Sequence, residues 1–152
     1  MDVSEDLTAT ARGLIDDAMY LTLATADNEG RPWASPVWFA PVGYTEFLWV
    51  SKPDARHSRN LAERPEVAIV IFDSHVQVGA GQAVYSEALA EQVREDELDH
   101  LLAAFSKRSS AAGAGVWTRA NVSAPALLRL YRARASAQFV LGRDDRRVPV
   151  KL

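Results

Sequence analysis

The chain has 152 residues, 48% of them hydrophobic and 24% charged, with a net charge of −3 and no cysteine. This length and balance fit one folded domain over residues 1–152 and exclude a disordered chain. Without cysteine there is no disulfide framework, thiol nucleophile or thiolate metal site. No run approaches the ~20 apolar residues of a membrane span, and the acidic start (Asp2, Glu5, Asp6) lacks the basic region of a secretory signal. A soluble, cytoplasmic protein without a membrane partner is therefore expected.

Leu7, Ala11, Leu14 and Ala18 recur at helical spacing, with Ser4 placed to cap and Glu5 and Asp6 in the first turn, so a helix ending near Asp17 is expected. "MYLTLATA" (19–26) alternates as a strand does. "DNEGR" (27–31) has the composition of a tight turn, and "PWASPVWFAP" (32–41) reads as the returning arm of a hairpin. That arm carries Pro36 and Pro41, which cannot donate to a ladder and so leave backbone unpaired beside Trp38 and Phe39. "VGY" turns the chain into a third strand, "TEFLWVS" (45–51). Pro53 and Asp54 suit the first turn of a helix that Pro65 stops.

"EVAIVIFDS" (66–74) is apolar enough for a strand buried on both faces. "HVQVGAGQAVYSEALA" (75–90) reads as one long strand in which Gly79 and Gly81 mark a bulge or a close approach. Leu98, Leu101, Leu102 and Phe105 define an amphipathic helix over about 92–107, and "SSAAGAGVW" (109–117) is a small-residue loop. A strand over 126–142 carries arginines on both of its phases, and "RRVPVKL" (146–152) closes the chain as an edge strand. Six or seven strands in hairpins, with a helix at the front, the middle and late, indicate a mainly β (α+β) antiparallel barrel with peripheral helices.

Most catalytic signatures are missing. There is no G-x-S-x-G elbow, and neither "GAGQAV" nor "GAGVWT" has the third glycine of a dinucleotide loop. His57, His75 and His100 have neither metal-ligand spacing nor cysteine companions, so no metal is expected. From Arg119 onward, eight basic residues face two acidic ones, a net +6 against −9 elsewhere. Such a tail either meets an anion or packs beside the acidic remainder, and the pI near 5.6 argues against nucleic acid. The segment from Ser51 to Asn60 places Ser51, Lys52, Arg56 and His57 where a strand end feeds a helix start. That is a fitting cradle for a phosphate, or else a solvated helix face.

Two stretches carry a family resemblance. "LATADNEGRPWASPV" (23–37) fits L-A-T-x(4)-G-x-P-x-x-x-P-V, and "RHSRNLAERPEV" (56–67) fits R-[KH]-x-x-N-L-x-x-x-P-x-V. Together they resemble the pyridoxamine 5′-phosphate oxidase-like FMN-binding split β-barrel proteins. The resemblance implies a homodimer with two flavin sites at its interface. It sets the backbone of Ser35, Pro36, Val37, Trp38 and Phe39 along the isoalloxazine ring. Trp49, Val50, Ser51 and Lys52, with Arg56 and His57, would hold the ribityl phosphate. His75, Val76 and Gln77 would approach from the other subunit.

The sequence departs from the family twice. His57 stands where lysine is frequent, which makes phosphate binding weaker or pH-dependent. The C-terminal tryptophan-and-arginine signature for a substrate phosphate is absent, so vitamin B6 oxidation is not transferred. The expected function is FMN-dependent hydride transfer on a small molecule, with Trp38, Phe39 or Trp117 forming either an apolar wall or plain core. One alternative is a deazaflavin-dependent reductase that uses Lys52, Arg56 and Arg59 for a longer anionic tail. Another is a non-catalytic flavin- or haem-binding module, with His75 or His100 as axial ligand.

Overall fold

The computed structural model describes residues 3–152, with side chains from residue 5 onward; the cap expected of Ser4 lies outside the described side chains. Helix α1 (Val3–Asp17) packs Ala11 and Ile15 fully into the core. Strands β1 (Tyr20–Ala26) and β2 (Pro32–Trp38) form the first hairpin. In its turn, Asp27 Oδ1 accepts the N–H groups of Glu29 and Arg31 at 2.9 Å, and Gly30 takes φ +83°, where a side chain would be strained.

The expected arm over 32–41 is not one strand. It breaks at Phe39, and the chain resumes as β3 (Ala40–Val42). The ring of Phe39 is fully buried against Phe47, with the Arg108 guanidinium over it at 5.3 Å. This break raises the count from the expected six or seven strands to eight among the described residues.

Strand β4 (Glu46–Ser51) leads through the turn at Lys52–Ala55 into helix α2 (Arg56–Glu63). Pro53 and Asp54 lie in that turn rather than in the helix. Strand β5 (Glu66–Phe72) alternates instead of burying both faces: Val67, Ile69 and Ile71 point inward, while Phe72 remains 54% exposed. Residues 73–82 form a loop, so the expected strand over 75–90 begins only at β6 (Ala83–Gln92). There Gly79 adopts φ +86° within a turn, not a strand bulge.

Helix α3 (Glu95–Ala111) starts and ends later than its apolar spacing implied, and buries Leu98, Leu101, Leu102 and Phe105 as expected. A 3-10 turn (Arg119–Asn121) precedes β7 (Arg129–Leu141) and β8 (Arg147–Val150).

The strands form one antiparallel sheet in the order β2-β1-β5-β6-β7-β4-β3, with β8 added to β7. The two end strands, β2 and β3, are consecutive in the chain, so the sheet has to curl until its ends face each other. No ladder closes the resulting seam. β3 pairs with β4 only over residues 46–48, whereas 49–51 of β4 pair with β7 alone. The far edge of β2 is likewise unpaired, a position in which Pro36 costs no ladder bond.

Alternation along β4 sends Phe47 and Trp49 into the barrel and Leu48 to the outer face, where Phe105 and Leu101 of α3 cover it. Each such buried side chain contributes roughly 1.5–3 kcal/mol. The register between β6 and β7 slips at Glu87/Ala88. Tyr131 and Ala133 therefore face the core before the slip, and Gln138 and Val140 after it. The arginines all precede the slip: Arg132 and Arg134 share the phase opposite Tyr131 and Ala133, while Arg129 opens the strand on the other phase and donates to the carbonyls of Ala126 and Leu128. No helix among the described residues is long and apolar enough to cross a membrane.

Candidate functional site

The open seam leads to the site. Asn60 of α2 is buried and donates through Nδ2 to Thr25 Oγ1 at 3.0 Å, and Thr25 Oγ1 in turn donates to the Trp33 carbonyl at 3.4 Å. This relay fastens α2 to the β1–β2 hairpin. The first turn of α2 therefore sits beside the end of β4, and Ser51 Oγ lies 2.7 Å from His57 Nε2. Burial pushes the His57 pKa below its ordinary 6.5 and holds the ring neutral at pH 7.

A cleft of about 390 Å³ lies in the seam. One side is formed by Pro36, Val37 and Trp38 of β2, Val50 and Ser51 of β4, and His57. The other is formed by Phe105 and Ser109 of α3 with Ala114 and Trp117 of the following loop. Trp38 meets Phe105 edge-on at 5.3 Å, and Phe105 meets Trp117 edge-on at 5.5 Å. Trp117 is held at two points, its backbone N–H donating to Ser106 Oγ at 2.8 Å and its indole N–H to Ser109 Oγ at 3.1 Å.

Seven of the residues singled out in the sequence, Trp117 among them, thus meet at one cleft. The others are placed differently. Phe39 and Trp49 are fully buried in the barrel, Trp49 stacked on Tyr131 at 6.0 Å, so these two side chains are core and only their backbone is near the seam. Ser35 is buried on the inner face of β2. Lys52 and Arg56 are exposed outside the lining, with the Arg56 guanidinium 4.2 Å from the centre of the Trp33 ring. His75, Val76 and Gln77 belong to the exposed 73–82 loop and do not line this cleft within one chain. His75 contacts Asp73 through its backbone N–H and Nδ1.

Phe105, Ser109 and Ala114 were not legible as site residues. Helical periodicity identified Phe105 only as core, and serine and alanine carry no chemical signature. In the basic tail, Arg119 pairs with Glu95 and Asp99, and Arg132 with Glu91 and Glu97, which answers to packing beside the acidic remainder. A second hollow of about 440 Å³ lies on the outer sheet face, between Thr22, Val70, Tyr85 and Phe139, with Arg147 over the Tyr85 ring. It holds none of the residues that bear chemistry at the seam.

Comparison with known proteins identifies the family and the fold. The family model described as pyridoxamine 5′-phosphate oxidase matches residues 7–139. A pyridoxine/pyridoxamine 5′-phosphate oxidase of Burkholderia thailandensis is 29% identical over 122 residues, covering 78% of this chain and 54% of its own length. This chain thus spans about half the length of the curated relatives it matches. Among solved structures, a haem-binding protein from Mycobacterium smegmatis superposes with a TM-score of 0.73 at 26% identity, over 93% of this chain and 56% of the other. A haem storage protein from Vibrio cholerae gives 0.69 at 25% identity, over 88% and 94%. The match over most of the chain and the shared split-barrel architecture lead to one assignment: the chain belongs to the pyridoxamine 5′-phosphate oxidase family.

Proposed function

We propose that this protein binds FMN in the seam between β2 and β4 and is an oxidoreductase acting on a small molecule. The observation that carries this reading is the seam itself. Two strand edges with unpaired backbone groups flank a cleft whose end meets Ser51 at the end of β4, Lys52 in the turn, and Arg56 and His57 at the start of α2. The donor set fits FMN. Free amide and carbonyl groups on β2 suit the polar edge of a flavin ring, and a hydroxyl, an imidazole and two cations suit a phosphate. When bound, the flavin supplies hydride transfer at its N5.

The chain's own part is positional. Residues 35–38 orient the ring through backbone groups, Ser51 and His57 receive the phosphate, and Trp38 with Phe105 limits water beside the ring. Lys52 and Arg56 add attraction from the rim. We further infer a homodimer, in which residues 75–77 of a second copy reach the cleft that they do not reach in their own chain. A cytoplasmic location is part of the same proposal.

Adding FMN to purified protein tests this. Quenched flavin fluorescence and a shifted visible spectrum are expected, with affinity falling in Ser51→Ala and His57→Ala. A preparation that stays colourless and leaves the fluorescence of added FMN unquenched would refute the reading. Tighter binding of a deazaflavin coenzyme than of FMN would replace FMN by that cofactor.

A haem-binding module is the second reading, favoured by the two haem-related relatives at 25–26% identity. His57 Nε2 is already engaged by Ser51, so the axial ligand would have to be His75 or His100, both exposed. A Soret band on haem addition that disappears in His75→Ala or His100→Ala would support it.

A further inference from the structure

We propose that the molecule this cleft selects beside its cofactor is planar, aromatic and uncharged, and that Trp117 is the residue that selects it. The proposal deepens the flavin reading and rests on it for the reaction. The selecting wall, however, belongs to this chain and can be tested without the cofactor.

Charge makes the first argument. Among the residues of one chain that line the cleft, His57 is the only titratable one, and on this reading it is committed to the cofactor phosphate. Arg108, one helical position before Ser109, points away: it donates to the carbonyls of Ala18 at 2.7 Å and Asp16 at 3.3 Å at the end of α1, with its guanidinium over Phe39. Lys107 is exposed outside the lining. The cation set of Lys52 and Arg56 lies at the α2 end, committed on this reading to the cofactor phosphate. A second phosphate on the substrate would lose hydration on the α3 side without gaining a cation, which is unfavourable.

Polarity makes the second. On the α3 wall Ser109 Oγ, the one hydroxyl lining this side of the cleft, accepts the Trp117 indole N–H, and Ser106 Oγ, outside the lining, accepts the Trp117 backbone N–H. The largest surface facing a ligand is the edge-on series Trp38–Phe105–Trp117. Aromatic faces held this way favour a flat apolar partner. The two serines fix the Trp117 ring in place, so little side-chain freedom is lost on binding.

Calorimetric titration of the FMN-loaded protein provides the test, with menadione as the neutral planar probe and pyridoxamine 5′-phosphate as the anionic one. Menadione is expected to bind saturably and pyridoxamine 5′-phosphate not to. Trp117→Ala should weaken menadione about tenfold, and Trp117→Phe should retain most of the affinity. Ala114→Arg, a substitution on an exposed loop position at the cleft, should confer binding of pyridoxamine 5′-phosphate.

FMN affinity is followed separately by flavin fluorescence and should not move in the Trp117 variants. Wild-type protein that binds pyridoxamine 5′-phosphate as tightly as menadione would overturn the proposal. So would an unaltered selectivity in both Trp117→Ala and Ala114→Arg, or a loss of FMN affinity in Trp117→Ala equal to its loss of menadione affinity. If FMN does not bind at all, the flavin reading fails, and the same titrations on the flavin-free protein still decide the role of the wall.

Discussion

His57 concentrates the chemistry of the site in one ring. Its Nε2 is 2.7 Å from Ser51 Oγ, and burial lowers its pKa from 6.5. A histidine whose folded pKa is depressed binds fewer protons folded than unfolded once the pH falls below 6.5. Stability is therefore whole above 6.5 and declines as the pH falls from there to the folded pKa. Urea midpoints across that window should fall more steeply for the wild type than for His57→Gln; parallel curves would show that the ring is not desolvated. A phosphate seated beside this ring reverses the effect locally, because an anion favours the imidazolium. FMN should bind more tightly as the pH falls toward and below 6.5. His57→Lys, charged throughout, should remove that dependence and bind about tenfold more tightly at neutral pH, in line with a charge-assisted hydrogen bond. A flavin titration at several pH values measures both effects.

Helix α3 and the loop that follows it supply one side of the cleft, and Arg132 holds the start of that helix. Its guanidinium is only 4% exposed and reaches Glu97 in the first turn of α3 at 2.6 Å and Glu91 at the end of β6 at 2.8 Å. Pairing with Arg132 holds the Glu97 carboxyl below its ordinary value. Arg132→Met would leave two glutamates facing each other, but both are over a third exposed and can rehydrate. The expected loss is about 1–2 kcal/mol, below the 3–5 kcal/mol typical of a fully buried pair. Denaturant unfolding reads it, and an unchanged midpoint would mean that the network is energetically neutral. Elements with strong local signals were legible from sequence: α1, β1, the Asp27–Arg31 turn, β4 and the apolar face of α3 all follow from periodicity or turn chemistry. The break at Phe39 was not, because it depends on a ring buried against Phe47 and Arg108, residues distant in the chain. Nor was the 73–82 loop, whose "HVQV" alternates like a strand while Gly79 turns it. The phase of β7 depends on a register slip against β6. At the site, the β2–β4 side was legible through its motifs, whereas Ser109 and Ala114 acquire their place only through packing.

At the scale of the molecule, the outer sheet face remains to be satisfied. Ladder register aligns Pro36, Thr22, Val70 and Tyr85 as a row across four strands, and Phe139 extends it onto β7. Tyr20 and Phe72 flank this row at 60% and 54% exposure. A face of this kind on a lone chain is costly in water and matches the apolar centre of an interface. Its position matters more than its area, since Pro36 belongs both to the row and to the cleft lining. A second copy laid along the row would therefore border the cofactor cleft. The homodimer proposed above then has a specific test in Val70→Arg, which puts a charge at the centre of the row while leaving every residue of the cleft lining intact. Wild-type protein should sediment as a dimer and Val70→Arg as a folded monomer. If the second copy completes the site, the monomer should also lose FMN affinity by about tenfold or more, because contacts from across the interface are gone. A monomeric wild type would refute the dimer. A monomeric variant that binds FMN as tightly as wild type would place the whole cofactor site within one chain and leave the 75–77 loop without a role in it.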